Sequence, residues 1–381
     1  MTDIDAVRGF ALLGILLVNA QVISGAYYSS HTDVSGFSAG WIAAALTGVF
    51  AEMKFYLLFS FLFGYGVALR MRSTGPGRPG FTARYGRRLL ALFLLGVCHA
   101  VVLFPGDILT AYAVLGVVVY FSRGLAPRTL VRVSLALVTL FGVFLLAVGV
   151  FAVTSMPYTP ADAAAAAAGH AETASLYRGG PADVLRAHAS LLGAAVGGSL
   201  VFTPHVLAAL LAGLAAGKSG LLEGDRPGRD RLRRVAVRGL LTGVPGSVFM
   251  ALCGSGPFGR EWFYLGKAVG AVTAPALTAG YVCLLLLVWR AGRFGGARTV
   301  LAAAGRMSLT HYLTQSLVLA FVFTGYGLGL YGHVDASLVL LGCAFLYAAQ
   351  LRSGAWLLAR VPRGPLESLV QRADRGRWSL S

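Results

Sequence analysis

The stretch Gly96-Val97-Cys98-His99-Ala100-Val101-Val102-Leu103-Phe104-Pro105-Gly106-Asp107-Ile108-Leu109 decides how the chain is read. An apolar helix carrying one imidazole runs into a Pro-Gly break, and an acid follows at once. Apolar sequence continues on both sides, so the stretch is the turn of a tight hairpin between two short spans, 88–104 and 107–122. An ionisable group placed in hydrocarbon costs about 2.5–3.5 kcal/mol on insertion scales and marks a functional site by default.

Working outward, the whole chain has the same character. Of its 381 residues 57% are hydrophobic and 12% charged, whereas a soluble domain carries about 25% charged residues. Further apolar runs reach the length that crosses a bilayer, about 20 residues. Backbone groups in lipid must be satisfied within the segment, and the runs are too long for barrel strands, so the spans are helices. Ten are expected, at about 9–27, 41–69, 88–104, 107–122, 130–153, 189–217, 235–254, 265–289, 307–330 and 335–359. The fold class is all-α: a polytopic integral membrane bundle forming one transmembrane domain over 1–381. The first apolar run has no small-residue cleavage pattern and reads as a span rather than a signal peptide. Cys98, Cys253, Cys283 and Cys343 sit in or beside apolar runs, at spacings that fit neither zinc nor a disulfide framework.

The net charge of +17 does not point to nucleic acid. Its arginines fall in short loops on one side, as in 70–88 (Arg70, Arg72, Arg78, Arg84, Arg87 and Arg88, no acid), 218–238, 290–306 and 352–377. The loops 28–40, 105–106 and 331–334 have no Lys or Arg. The positive-inside rule then puts both termini and the 361–381 tail in the cytoplasm, with the bilayer as partner and the cytoplasmic membrane as location. The one long external connection, 154–188, contains Ala163–Ala168, a good helix former. It is either a solvated cap or a lid.

The polar residues inside the spans are few. Arg8 and Asn19 share one face of the first span, eleven residues apart. Arg8 is either an anchor paired with Asp5 or a binding residue, and Asn19 either bonds a neighbouring helix or serves chemistry. Glu52 and Lys54 lie deep in the second span, two residues apart, and so need separate partners or a wet cavity. Lys54 suits an anionic substrate or an ion pair between helices. Arg88 and His99 share a face of the third span. Asp107 could turn back to fix the tautomer of His99, leaving the other ring nitrogen as a base, or could simply cap the next helix. Tyr112 stands within reach as a donor. His31 and Asp33 in the first external loop offer a second base or an ordinary polar loop. Arg306 and His311 could meet a phosphate-bearing donor at the cytoplasmic end. No P-loop, Gly-x-Ser-x-Gly or His-Glu-x-x-His motif occurs.

Taken together, Asp5-Ala6-Val7-Arg8-Gly9-Phe10 through Asn19, Lys54-Phe55 with Phe59-Ser60-Phe61-Leu62-Phe63-Gly64, Arg87-Arg88 with Gly96, His99 and Gly106-Asp107-Ile108-Leu109, Gly305-Arg306-Met307-Ser308-Leu309-Thr310, and the ending Gly364-Pro365-Leu366-Glu367 resemble the bacterial YeiB-like family, domain of unknown function 418. The likeness covers essentially the whole chain. That family is similar to the transmembrane acyltransferases, the acyltransferase-3 proteins and heparan glucosaminide acetyltransferases among them. The resemblance implies transfer of an acyl group, usually acetyl from acetyl-CoA, to an external acceptor. Acyltransferase-3 proteins carry Arg and His eleven residues apart on the first span. Here Arg8 matches and Asn19 stands at the His position, as in the heparan enzyme, which has its His in the next loop, near His31. The base is therefore either His99 or His31.

The expected function is a membrane-embedded acyltransferase. It would take acyl-CoA at Arg8, Lys54, Arg88 and Arg306, use His99 or His31 with Asp107 as base, and place Asn19, Tyr112 and Glu52 near substrate or oxyanion. The acceptor is a hydroxyl or amine on a small molecule, glycan or natural product. No metal is called for, and a homo-oligomer is left open. The alternatives are a transporter or flippase for a small or lipid-linked anionic solute, with Glu52, Lys54 and His99 as a proton relay, and a non-catalytic partner in an envelope complex.

Overall fold

A computed structural model describes residues 2–26, 38–74, 81–224 and 226–375. His31 and Asp33 lie outside the described residues. What is described is helical, without a strand among the described residues. The helices are α1 (Thr2–Ile23), α2 (Ala39–Phe50), α3 (Lys54–Thr74), α4 (Phe81–Val102), α5 (Leu109–Phe121), α6 (Pro127–Ser155), α7 (Pro160–Arg178), α8 (Pro181–Lys218), α9 (Arg229–Ser255), α10 (Phe263–Arg290), α11 (Gly295–Arg306), α12 (Ser308–Phe323), α13 (Ala336–Leu358) and α14 (Pro365–Arg375). Among the described residues, eight stretches are long and apolar enough to cross a membrane, and Leu109–Gly124 and Ser308–Phe323 are shorter apolar helices. These are the ten segments expected, and the multi-pass bundle stands.

Packing follows what a bilayer permits. Lipid tails are as apolar as leucine, so helices associate by close backbone approach at small residues. Gly64 of α3 lies on the Leu210 carbonyl of α8, and Gly213 of α8 lies on the Phe61 carbonyl of α3. Gly9 and Gly305 do the same where α11 crosses α1. The outer faces of α6 and α13 keep Leu135, Leu140, Leu338 and Phe345 exposed, as lipid-facing surfaces do. All four cysteines are free.

The arginine-bearing turns gather at one end. Lys218 donates to the Arg123 and Leu125 carbonyls at 2.8 and 2.6 Å. Arg290 donates to the Pro227 carbonyl at 2.8 Å, and Arg72 pairs with Glu223 at 2.6 Å. The start of α1 joins them through Arg298 and Asp3, 2.7 Å apart. At the opposite end α7 is no loose loop. Tyr177 stacks on Tyr331 with ring centroids 4.6 Å apart, and the Tyr177 carbonyl accepts from the Gly325 amide at 2.7 Å.

Three boundaries differ from expectation. The second span is not one helix: α2 stops at Phe50, α3 starts at Lys54, and Met53 between them adopts a positive φ of 66°. Lys54 explains why the break is tolerable, since its Nζ donates to the Gly48 carbonyl at 2.9 Å, where the α2 dipole ends negative. Tyr281 and Thr278 supply hydroxyls to the Phe50 and Lys54 carbonyls. Next, α8 begins at Pro181 and passes through Pro204 unbroken, so the expected external loop is mostly helix. Last, the expected tail contains α14, which packs Val370 and Ala373 back against the bundle.

The glycine crossings predict that Gly305→Val, which drives a side chain into the α1 backbone, destabilises by about 1–3 kcal/mol or more. A lowered unfolding temperature in detergent checks it. Lys54→Met should be similarly costly, because it leaves the Gly48 carbonyl orphaned in hydrocarbon.

Candidate functional site

The hairpin that opened the sequence closes on itself. The last turn of α4 places His99 inward, and the chain reverses over Pro105 and Gly106. Asp107 returns so that its Oδ1 lies 2.9 Å from His99 Nδ1. The other carboxylate oxygen accepts from the Thr110 amide and hydroxyl, both at 2.7 Å. The two readings of Asp107 are thus both realised: it caps α5 and it holds the imidazole. Gly96 makes room for this, since a Cβ there would stand 2.5 Å from Thr110 Oγ1 and 2.7 Å from Asp107 Oδ2. The pair is sealed, with side-chain exposures of 0% and 1%.

A carboxylate only accepts, so His99 Nδ1 is the donor to Asp107, and in the neutral imidazole Nε2 then presents a lone pair. That Nε2 is buried and has no hydrogen-bond partner. Beside it, with ring centroids 5.0 Å apart, stands Tyr312 of α12, whose hydroxyl is also buried and unpartnered. Tyr312 was not singled out in the sequence. Its only signal there was an adjacent imidazole, His311, and that ring turns toward Gly354 of α13 instead.

The other expected residues fall in different places. Tyr112 is buried, but its hydroxyl meets Ser60 Oγ at 3.0 Å and its ring stacks on Phe59 and Phe63. Asn19 is half-buried on α1. Glu52 pairs with Lys267 of α10 and Lys54 with the end of α2, so the two take separate partners as their spacing requires. Neither shares a partner with His99. Close to Glu52, Tyr56 bonds His205 Nδ1 at 2.7 Å. Lys267 and the His205–Tyr56 pair were missed because each depends on which helices are neighbours.

A cationic cluster lies below the imidazole at the arginine-rich end. Arg8 pairs with Asp5 at 2.9 Å. Arg8, Arg70 and Arg88 act on one another electrostatically, with Asp374 beside Arg70 and Arg88, Glu367 beside Arg8, and Arg306 beside Asp5. Arg88 and His99 are eleven residues apart on α4, about 16 Å at 1.5 Å per residue, and on one face. α14 closes over this end. Glu367 accepts from the Leu309 and Thr310 amides at 2.7 and 3.0 Å and from the Thr310 hydroxyl at 2.6 Å. Arg87 donates to the Asp374 carbonyl at 2.9 Å.

Residues 216–377 match the family described as "Protein of unknown function (DUF418)". The chain is 32% identical to the uncharacterized protein YxaH of Bacillus subtilis (strain 168), over 98% of this chain and 94% of that one. The chain belongs to the YeiB-like DUF418 family. The uncharacterized protein YeiB of Escherichia coli (strain K12) is 31% identical over 96% of this chain and 94% of its own length. A 39.9 kDa protein in the amylase 3′ region of Bacillus acidopullulyticus is 26% identical over 96% and 90%. The matches to these relatives extend over nearly the whole chain, whereas the family model spans the end of α8 to the end of α14 and leaves out His99 and Asp107.

The double role of Asp107 predicts a split between two substitutions. Asp107→Asn can still accept from the Thr110 amide and should fold with an unfolding temperature near wild type. Asp107→Ala should lose the cap, about 0.5–2 kcal/mol, and leave a buried imidazole N–H unpaired at a further cost of about 1–3 kcal/mol. Thermal unfolding of the two variants side by side checks this.

Proposed function

We propose that this protein is a membrane acyltransferase of the bacterial cytoplasmic membrane, taking an acyl group, in the first instance acetyl, from acyl-CoA. The observation that carries the reading is the sealed His99–Asp107 pair with Nε2 bare, standing on the same helix face as Arg88. Arg8, Arg70, Arg88 and Arg306 offer the phosphates of the donor a cationic seat on the side the positive-inside rule gives to the cytoplasm. The rise from Arg88 to His99 is on the scale of the extended arm that joins those phosphates to the thioester.

The chemistry that follows is general-base acyl transfer. An acceptor hydroxyl or amine gives its proton to His99 Nε2 as its oxygen or nitrogen bonds to the thioester carbon. Asp107 steadies the imidazolium. The C–S bond then breaks, and the departing sulfur takes the proton from Nε2. Asp107→Asn presents an amide N–H to Nδ1, reverses the tautomer, and leaves no lone pair on Nε2. A transport reading keeps one support, the break in the second span with Glu52, Lys54 and Lys267 around it, since broken spans with buried charges mark solute and ion sites.

The test uses purified protein in lipid nanodiscs. Acetyl-CoA and free CoA should both raise the unfolding temperature, by the equivalent of about 2.7 kcal/mol at a hundredfold excess over Kd, and Arg88→Ala should abolish most of that. With radiolabelled acetyl-CoA and a host envelope extract as acceptor, label should move to the extract. His99→Gln should slow that transfer about 10²–10⁴-fold while leaving CoA binding intact. Uptake of solute into vesicles without any CoA derivative, together with no stabilisation by CoA, sinks the acyltransferase reading.

A further inference from the structure

His99 Nε2 is one of two buried polar atoms left bare at this point in the bundle, and the second has no part in proton transfer. The Tyr312 hydroxyl is attached to a residue only 4% exposed and has no hydrogen-bond partner. An unmade bond of this kind costs about 1–3 kcal/mol, more than a phenyl ring of the same shape would. Tyr65 and Tyr326 share it, but among the described residues only Tyr312 joins an unpartnered hydroxyl to a ring set against an imidazole whose nitrogen is also bare. Other buried tyrosines are bonded. Tyr112 bonds Ser60, Tyr347 donates to the Gly9 carbonyl at 2.7 Å, and Tyr56 bonds His205. Tyr312 is held in place by packing with Phe104, Leu109 and Leu319 in one apolar cluster, and its ring lies against His99.

Ile108, just ahead of α5, packs against the same apolar cluster as Tyr312. α5 is a 13-residue helix, and its first amides have no acceptor four residues back. Asp107 Oδ2 satisfies that of Thr110. The positive end of the α5 dipole and an unspent hydroxyl therefore lie on the side of the hairpin where the rings of Tyr312 and His99 meet, their centroids 5.0 Å apart. That is the donor arrangement an oxyanion requires: preset, dry, and close to a general base.

We propose that Tyr312, at the positive end of the α5 dipole, is the oxyanion-stabilising donor of the site. The inference rests on the acyltransferase reading above and specifies how that reaction is accelerated. The thioester carbonyl oxygen of the acyl donor accepts from the Tyr312 hydroxyl. As the acceptor oxygen or nitrogen bonds to the carbonyl carbon and its proton passes to His99 Nε2, the C=O π pair moves onto oxygen, where the Tyr312 hydroxyl holds it. When that pair re-forms C=O, the C–S bond breaks and the sulfur leaves with the proton from Nε2. Tyr312 keeps its own proton throughout. The proposal gives to Tyr312 the donor role that the sequence suggested for Tyr112.

The experiment follows free-thiol release from acetyl-CoA by the protein in proteoliposomes of host lipid, with envelope extract as acceptor. Tyr312→Phe should lower kcat by 10²–10³-fold with KM for acetyl-CoA within about twofold and the shape of the pH profile unchanged. Its unfolding temperature should equal or exceed that of the wild type, because the variant removes an orphan hydroxyl. A hydroxyl with a structural role would give the opposite: a lower unfolding temperature and an intact kcat. Should Tyr312→Phe fail to fold, fluorinated tyrosines at position 312 keep the hydroxyl and its size while making it more acidic, and kcat should track that acidity. A flat series, or a Tyr312→Phe protein as fast as wild type, overturns the proposal while leaving acyl transfer standing. A wild-type protein that neither binds nor consumes acetyl-CoA overturns both.

Discussion

One carboxylate carries two obligations in this molecule. Asp107 must end the orphanhood of an α5 amide and must hold the ring of His99, and it meets both because its two oxygens point to different helices. In hydrocarbon neither obligation can be passed to water. The α4–α5 hairpin is therefore fixed by a polar contact rather than by shape alone, and further along it Leu89 packs on Gly116 while the Tyr85 hydroxyl donates to the Gly116 carbonyl. The state of the imidazole and the position of α5 become one variable.

The same rule organises the second polar region. Lys54 and Lys267 are both buried, and each finds a different source of negative charge: the end of a half-helix in one case, Glu52 in the other. The break at residues 51–53 lets a lysine sit at this depth, because a continuous helix would have no free carbonyl at Gly48 to offer it. The bundle thus keeps His99 and Asp107 apart from Glu52, Lys54 and Lys267, and α3, which begins at Lys54, ties Ser60 to Tyr112 and, one turn earlier on the same face, Tyr56 to His205.

Much of this was legible in the residues. The ten apolar segments, the clustering of arginine at one end, the hairpin at Pro105-Gly106 and the approach of Asp107 to His99 all depend on spacing along the chain, which sequence shows directly. The break in the second span was hidden because Val49, Phe50, Ala51, Met53 and Phe55 keep apolar character straight through it, and only the charges beside it hinted at trouble. Tyr312, Lys267 and His205 were hidden for another reason. Their partners lie roughly 150 to 215 residues away in the chain, and helix order in a bundle is decided by packing that no local pattern records. His31, the other base suggested by resemblance, belongs to the segment between α1 and α2 outside the described residues.

The bond from Glu367 to the start of α12 has a bearing on how the protein is made. Membrane helices enter the bilayer in chain order as the ribosome delivers them, and α12 arrives nearly sixty residues before the acid that satisfies its first amides. Until α14 emerges and folds back, the segment that presents Tyr312 to His99 has an unfinished end. The apolar helices can all be in place while this contact is still unmade, so closure of the bundle waits on a helix that lies outside its apolar spans.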